Sequence, residues 1–237
     1  MYQLLQHYGR VEEFLYFAEI KKDYETIILH HINEKNIKTS IDRLKHFSLI
    51  DSKKSELYNL FTRYSHIFMK YEPEATIDLL LENFKNTIDP NKIISAIMNT
   101  DIEKREKVVY YLEKLIKDNC REKNIHNLYI FFLCQIAENQ ADSIDRLILY
   151  LEDKDHFNSA DFDIDYALKV FSQFKIYSAQ SFALFLMEKY DECIKVALEH
   201  NYLDIAKKIA KKVTDRKIQK RLWLEVKIQL FRYSIMK

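Results

Sequence analysis

Apolar residues recur along this chain at helical spacing. Val108, Tyr111, Leu112, Leu115 and Ile116 fall at i, i+3, i+4, i+7 and i+8. Leu57, Leu60, Phe61, Tyr64, Phe68 and Tyr71 trace a second stripe, and Ala206, Ile209, Ala210 and Val213 a third. Each stripe has charged residues opposite, as on an amphipathic helix laid against a core. The start signals agree. Asp89-Pro90 reads as a cap followed by a first helical residue, where proline's missing N–H costs nothing; Glu72-Pro73-Glu74 reads similarly. Asp142-Ser143-Ile144-Asp145 resembles a capping box, with an acid three residues on. The pattern predicts helices over 10–21, 23–34, 37–48, 52–71, 74–84, 90–98, 102–120, 125–138, 143–152, 163–174, 177–187, 190–200, 203–213 and 216–231. Most connections are a few residues long, so successive helices are expected to be antiparallel neighbours. Residues 153–162 form the longest polar break and read as a loop within one domain.

Two segments look like copies of one unit, offset by 166 residues. Tyr24 matches Tyr190, Ile28 matches Ile194, and the small Ser40 matches the small Ala206. Small residues at that place let paired helices approach closely. Many short helices in recurring pairs predict an all-α chain, an α-solenoid of stacked antiparallel helix pairs. A compact helical bundle is the structural alternative. As a solenoid, about seven pairs with axes 8–10 Å apart make a rod of roughly 70 Å. Its radius of gyration is expected to exceed the roughly 18 Å of a compact chain this long.

Composition sharpens this picture. The chain has one glycine, Gly9, and two prolines in 237 residues. Average usage gives roughly 17 glycines. Glycine supplies the positive-φ positions of tight hairpins, phosphate loops and nucleophile elbows. With Gly9 alone, nearly all such sites are excluded, and no GxxxxGK[ST] or GxSxG pattern occurs. That argues for a binding or scaffold protein rather than an enzyme. Gly9 itself sits between an apparent helix remnant at Leu4–His7 and the helix opening at Val11, so it is expected to be left-handed. Lys and Arg number 37 against 36 Asp and Glu. This near-balance supplies no net field for nucleic acid. The longest uncharged run, Asn124 to Ala137, is too short to span a bilayer.

The candidate sites are few. Cys120, Cys134 and Cys193 are odd in number and widely spaced, so they read as reduced thiols. The eight histidines offer no HExxH and no i, i+4 pair, so no metal site or other cofactor is expected. The run Asp161-Phe162-Asp163-Ile164-Asp165 has Tyr166 and Ser172 where a calcium loop needs glycine and glutamate. It reads instead as acidic capping of the next helix. The tyrosines and phenylalanines lie mostly on the helical stripes and read as core. One surface cluster stands out: Lys207, Lys208, Lys211, Lys212, Arg216, Lys217, Lys220 and Arg221 face only Asp204 and Asp215 in that stretch. It is either a solvated helix face or a contact for anionic lipid or an acidic partner.

A set of short motifs carries a resemblance. Tyr8-Gly9-Arg10-Val11-Glu12-Glu13-Phe14-Leu15-Tyr16-Phe17-Ala18 reads YGRxEExxYFA. Lys22-Asp23-Tyr24-Glu25, Ile125-His126-Asn127, Asp163-Ile164-Asp165-Tyr166-Ala167-Leu168, Tyr190-Asp191-Glu192, Asp204-Ile205-Ala206-Lys207 and Lys220-Arg221-Leu222-Trp223-Leu224 follow in order. Cys193 replaces an alanine after the fifth. Together they resemble the clathrin-heavy-chain-type repeat region of the vacuolar protein sorting-associated protein 18, or deep orange, family. Each is weak alone; their order and coverage of the whole chain make the set specific. The resemblance implies a scaffold in the HOPS and CORVET tethering complexes, acting in vesicle-mediated transport at the cytosolic face of late endosomes, lysosomes or vacuoles. It implies partners among the other tethering subunits, an indirect link to SNAREs and Rab GTPases, peripheral membrane association and no nucleic acid. Family members also carry a β-propeller and a RING-type zinc domain. Neither pattern occurs here, so residues 1–237 are expected to be one solenoid segment, an excised or much reduced piece, without ubiquitin-ligase activity. Another clathrin-repeat scaffold, a coat or sister tether subunit, is the alternative, with a TPR-like peptide-binding module behind it.

Overall fold

The fold is seen in a computed structural model, which describes residues 8–50, 54–85, 87–137, 142–152 and 161–235. Fourteen α-helices and no strands occur among the described residues. In chain order they are α1 (Val11–Ile20), α2 (Tyr24–Asn33), α3 (Ile37–Ile50), α4 (Lys54–Tyr71), α5 (Pro73–Asn83), α6 (Ile94–Met98) and α7 (Arg105–Lys117). There follow α8 (Lys123–Ala137), α9 (Asp142–Glu152), α10 (Ile164–Gln173), α11 (Tyr177–Leu186), α12 (Tyr190–Glu199), α13 (Leu203–Lys212) and α14 (Arg216–Ile235). The predicted helices 90–98 and 102–120 each open as a 3₁₀ turn, Pro90–Ile93 and Ile102–Lys104, before becoming α-helical. The first follows from Pro90, with the Asp89 carboxylate accepting from Asn91 N–H. The expected remnant at Leu4–His7 and nearly all of the 153–162 loop lie outside the described residues.

The connections hold the main correction to the sequence reading. Six residues besides Gly9 adopt positive φ: Lys22, Lys35, Asn119, Lys175, Glu188 and Asn201. A shortage of glycine did not exclude left-handed positions. Each ends a helix in the same way: its own N–H and that of the next residue turn back to carbonyls of the last helical turn. Lys22 and Asp23 donate to Glu19 and Ala18 at 3.0 and 2.9 Å, and Lys175 and Ile176 to Ser172 and Phe171 at 3.3 and 2.9 Å. The paired hydrogen bonds of this Schellman turn satisfy orphan carbonyls and offset the Cβ penalty of roughly 1 kcal/mol. The residue after the turn precedes the next helix directly, so ten-residue helices recur every 13 residues. Starts fall at 11, 24 and 37, and again at 164, 177, 190, 203 and 216.

By its contacts the chain divides into two compact units, Met1–Tyr111 and Leu112–Lys237. In the first, α2 packs on α3, α3 on α4, and α4 on α5 and α6. Its centre is aromatic: Phe61 lies 5.2 Å from Phe84 and 5.9 Å from Phe68, and all three are buried. In the second, α8 to α14 pack in succession, with α14 against both α12 and α13. The predicted stripes are the core positions. Val108, Tyr111, Leu112, Leu115 and Ile116 are all buried, as are Ala206, Ile209, Ala210 and Val213. On α4, Leu57, Leu60, Phe61 and Phe68 are buried, whereas Tyr71 at the helix end is exposed. The two copies offset by 166 residues fold alike, α2–α3 and α12–α13 starting at matching positions. Ser40 is fully buried and donates to the Ile28 carbonyl at 3.3 Å, so α3 touches the backbone of α2. Its counterpart Ala206 is also fully buried.

Candidate functional site

The chemistry-bearing residues fall mostly into structural roles. Cys134 and Cys193 are buried, and burial pushes both thiols up to about 12, so they stay protonated and unreactive. Cys120 is a half-buried free thiol. His126 is fully buried. Its Nε2 lies 2.7 Å from the Cys120 carbonyl and its Nδ1 2.6 Å from Tyr150 Oη. Nε2–H therefore donates to the carbonyl and Nδ1 accepts from the tyrosine, which joins α9 to the start of α8. Asn127 beside it accepts from the Asp163 N–H at 3.0 Å, and the Asp163 carboxylate accepts from Tyr166 N–H at 3.0 Å. The acidic run is thus a helix cap, as its sequence implied. Among the described residues no group of His, Cys, Asp and Glu is placed to hold a metal ion, and no helix is long and apolar enough to cross a membrane.

The basic cluster spans the end of α13, the turn and the first half of α14, and its eight members divide into two sets. Lys207 pairs with Asp204 at 3.4 Å, Lys208 with Glu152 at 3.2 Å, and Arg221 with both oxygens of Asp191 at 2.6 and 2.7 Å. Lys212 lies 5.6 Å from the Phe182 ring centre, over its face. Lys211, Arg216, Lys217 and Lys220 are exposed, and no carboxylate among the described residues pairs with them. Asp215, the one acid in the turn, is engaged as the α14 cap, accepting from the Lys217 and Ile218 N–H groups. Gln219 Nε2 reaches the Val213 carbonyl at 3.2 Å, which fixes the α13–α14 turn.

The structure adds to this cluster something the sequence reading missed. α14 is apolar on two sides. Leu222 and Val226 are fully buried against the unit, yet Leu224, Ile228 and Phe231 are 60%, 46% and 70% exposed. The signal was present: Lys217, Lys220, Leu224, Lys227, Ile228 and Phe231 advance by three or four residues, or sit side by side, down one face. A search for one apolar stripe per helix passes over a second. Beside α14, on its α12 side, lies a cleft of about 540 Å³ floored by Leu198 and Ile228 and edged by Asp191, Glu192, Glu199 and Glu225. Basic and acidic surfaces therefore flank the same helix.

Comparison with known proteins places these features. Residues 24–230 match the family model described as VPS18, alpha-solenoid domain, second half. The chain is 28% identical over 234 residues to the vacuolar protein sorting-associated protein 18 homolog of Danio rerio, covering 95% of this chain and 22% of that protein. It is 26% identical to the vacuolar sorting protein 18 of Arabidopsis thaliana, over 94% of this chain and 22% of that one. It is 20% identical to the vacuolar membrane protein pep3 of Schizosaccharomyces pombe, over 97% of this chain and 25% of that one. The chain thus spans about a fifth to a quarter of the length of these relatives.

Proposed function

The chain belongs to the VPS18 family, and on that footing we propose that it is the scaffold segment of a core subunit of the HOPS and CORVET tethering complexes. The observation that carries this reading is the unbroken family match over residues 24–230, on helices that recur at constant spacing. It favours this family over a coat protein, a sister subunit or a TPR-like module. The segment's work is mechanical: stacked helix pairs space and orient binding surfaces. No side chain is assigned a catalytic role. Residues 1–237 act as one solenoid segment whose partners are the other tethering subunits. SNAREs and Rab GTPases are reached indirectly, through the assembled complex. The site of action is the cytosolic face of the late endosome, lysosome or vacuole membrane. The basic segment from Lys207 to Arg221 is its electrostatic contact.

Co-purification tests the reading. The parent protein carrying this segment should retain the sister tethering subunits, and removal of residues 24–230 should release them. Full assembly without those residues would refute a scaffold role.

A further inference from the structure

From the outward face of α14 we infer a direct docking surface for an anionic lipid bilayer, formed by Lys217, Lys220 and Lys227 around the apolar ridge of Leu224, Ile228 and Phe231. Two independent observations converge on it. The first is apolar exposure: three large side chains stand on the solvent side of a helix whose other side is already buried through Leu222 and Val226. A soluble surface exposes such residues singly, not in a row along one helix. The second is unpaired charge. Lys217, Lys220 and Lys227 are exposed on the same face, Lys211 and Arg216 border it, and none is paired with a carboxylate among the described residues.

The chemistry of the occupant follows. The face is a convex ridge, not a groove, so its apolar side chains suit insertion between headgroups. The cations are lysines apart from Arg216. Lysine is a point charge on a flexible stem, suited to a diffuse anionic field, whereas a specific carboxylate partner favours the bidentate guanidinium. The two sets of charges also set an orientation. The carboxylates Asp191, Glu192, Glu199 and Glu225 lie toward α12, so repulsion tilts that edge away while the lysine ridge meets the membrane. Arg221, tied to Asp191, marks the border between the two. The inference deepens the contact surface given under the scaffold reading and rests on that reading for the occasion of membrane contact.

The test is vesicle binding by the full 237-residue chain, followed through its one tryptophan. Trp223 is half-buried and adjoins Leu224 in the chain. Phosphatidylcholine vesicles containing phosphatidylserine should bind the chain and shift Trp223 emission, and pure phosphatidylcholine vesicles should not. Binding should weaken with salt. Lys217→Glu/Lys220→Glu should lower affinity about tenfold or more, since each lysine near an anionic surface contributes on the order of a fivefold factor. Leu224→Ala/Phe231→Ala should lower it several-fold at unchanged helicity. Lys189→Glu/Lys195→Glu makes the same change in net charge off this face and should bind as the unaltered chain does. The inference is overturned by any of three results: equal binding to pure phosphatidylcholine, no response to the α14 changes, or an equal response to the control pair. It is also overturned if no vesicle binds while Lys217→Glu/Lys220→Glu releases a sister subunit, which would make the face a protein contact. Vesicle binding retained by a chain that fails to co-purify with sister subunits supports the lipid face and counts against the scaffold reading alone.

Discussion

Lysine, glutamate and asparagine stand where a helix terminator usually has glycine, and each holds its Cβ in the left-handed region. Lys175→Gly should therefore stabilise the protein by up to about 1 kcal/mol, less the backbone entropy that glycine adds to the unfolded chain. Lys175→Val should destabilise it by more than that, because a β-branched residue tolerates positive φ poorly. Urea unfolding midpoints at unchanged slope would show both. Gly9 is the complementary case, with φ of +64° and nothing within 4 Å of a Cβ added there. Gly9→Ala should cost about 1 kcal/mol from conformation alone, and no loss would show that this turn relaxes freely. A titration follows from His31, whose pKa burial lowers, helped by the adjacent His30 and by Arg43. The folded state therefore favours the neutral ring. Its contribution is present above the ordinary value of 6.5 and is lost as pH falls through that value, where the unfolded chain takes up the proton first. His31→Gln should flatten that part of the stability–pH curve. Gly9's conformation was legible because its neighbours fixed where one helix ended and the next began. The six other left-handed residues were not, because the hydrogen bonds that stabilise them are backbone groups, which no side-chain pattern announces.

At the scale of elements, the ten-residue helix with its three-residue turn is the repeating part. Its short length forces close packing, and the small residues mark where helices cross. Ala206→Leu should cost about 1–3 kcal/mol by overpacking a fully buried position, whereas the same change at exposed Lys208 should stay within about 0.5 kcal/mol. Ser40→Ala should cost about 1 kcal/mol through loss of the bond to Ile28. Thermal unfolding of the three variants would rank them. Helix existence and the inward faces were plain in the sequence because burial imposes a 3.6-residue period on Val108 to Ile116 and on Ala206 to Val213. The 13-residue step was visible only in part, through the match of Tyr24 with Tyr190 and Ser40 with Ala206. Core positions accept many apolar residues of similar volume, so spacing persists after identity fades. The exposed ridge of α14 was hidden for a different reason: Leu224 and Phe231 look like core residues until Leu222 and Val226 are seen to occupy the inward side.

At the scale of the whole molecule, the basic cluster was legible as residues but not as a site. Charge density showed eight cations, and only the fold showed that Lys207, Lys208 and Arg221 are neutralised while Lys211, Arg216, Lys217 and Lys220 are free. A scaffold's function lies in such surfaces and in the fixed spacing between them, which ties the account to assembly rather than to turnover. The most direct measurement is a segment exchange. The second half of the solenoid in a full-length VPS18 relative is replaced by this chain, and sister-subunit co-purification is compared with that of the unaltered parent. The account predicts that the exchanged protein retains its sister subunits, and that a helical segment of equal length but unrelated sequence does not. A soluble, helical exchange protein that captures none of them, or an unrelated segment that captures all of them, would contradict it.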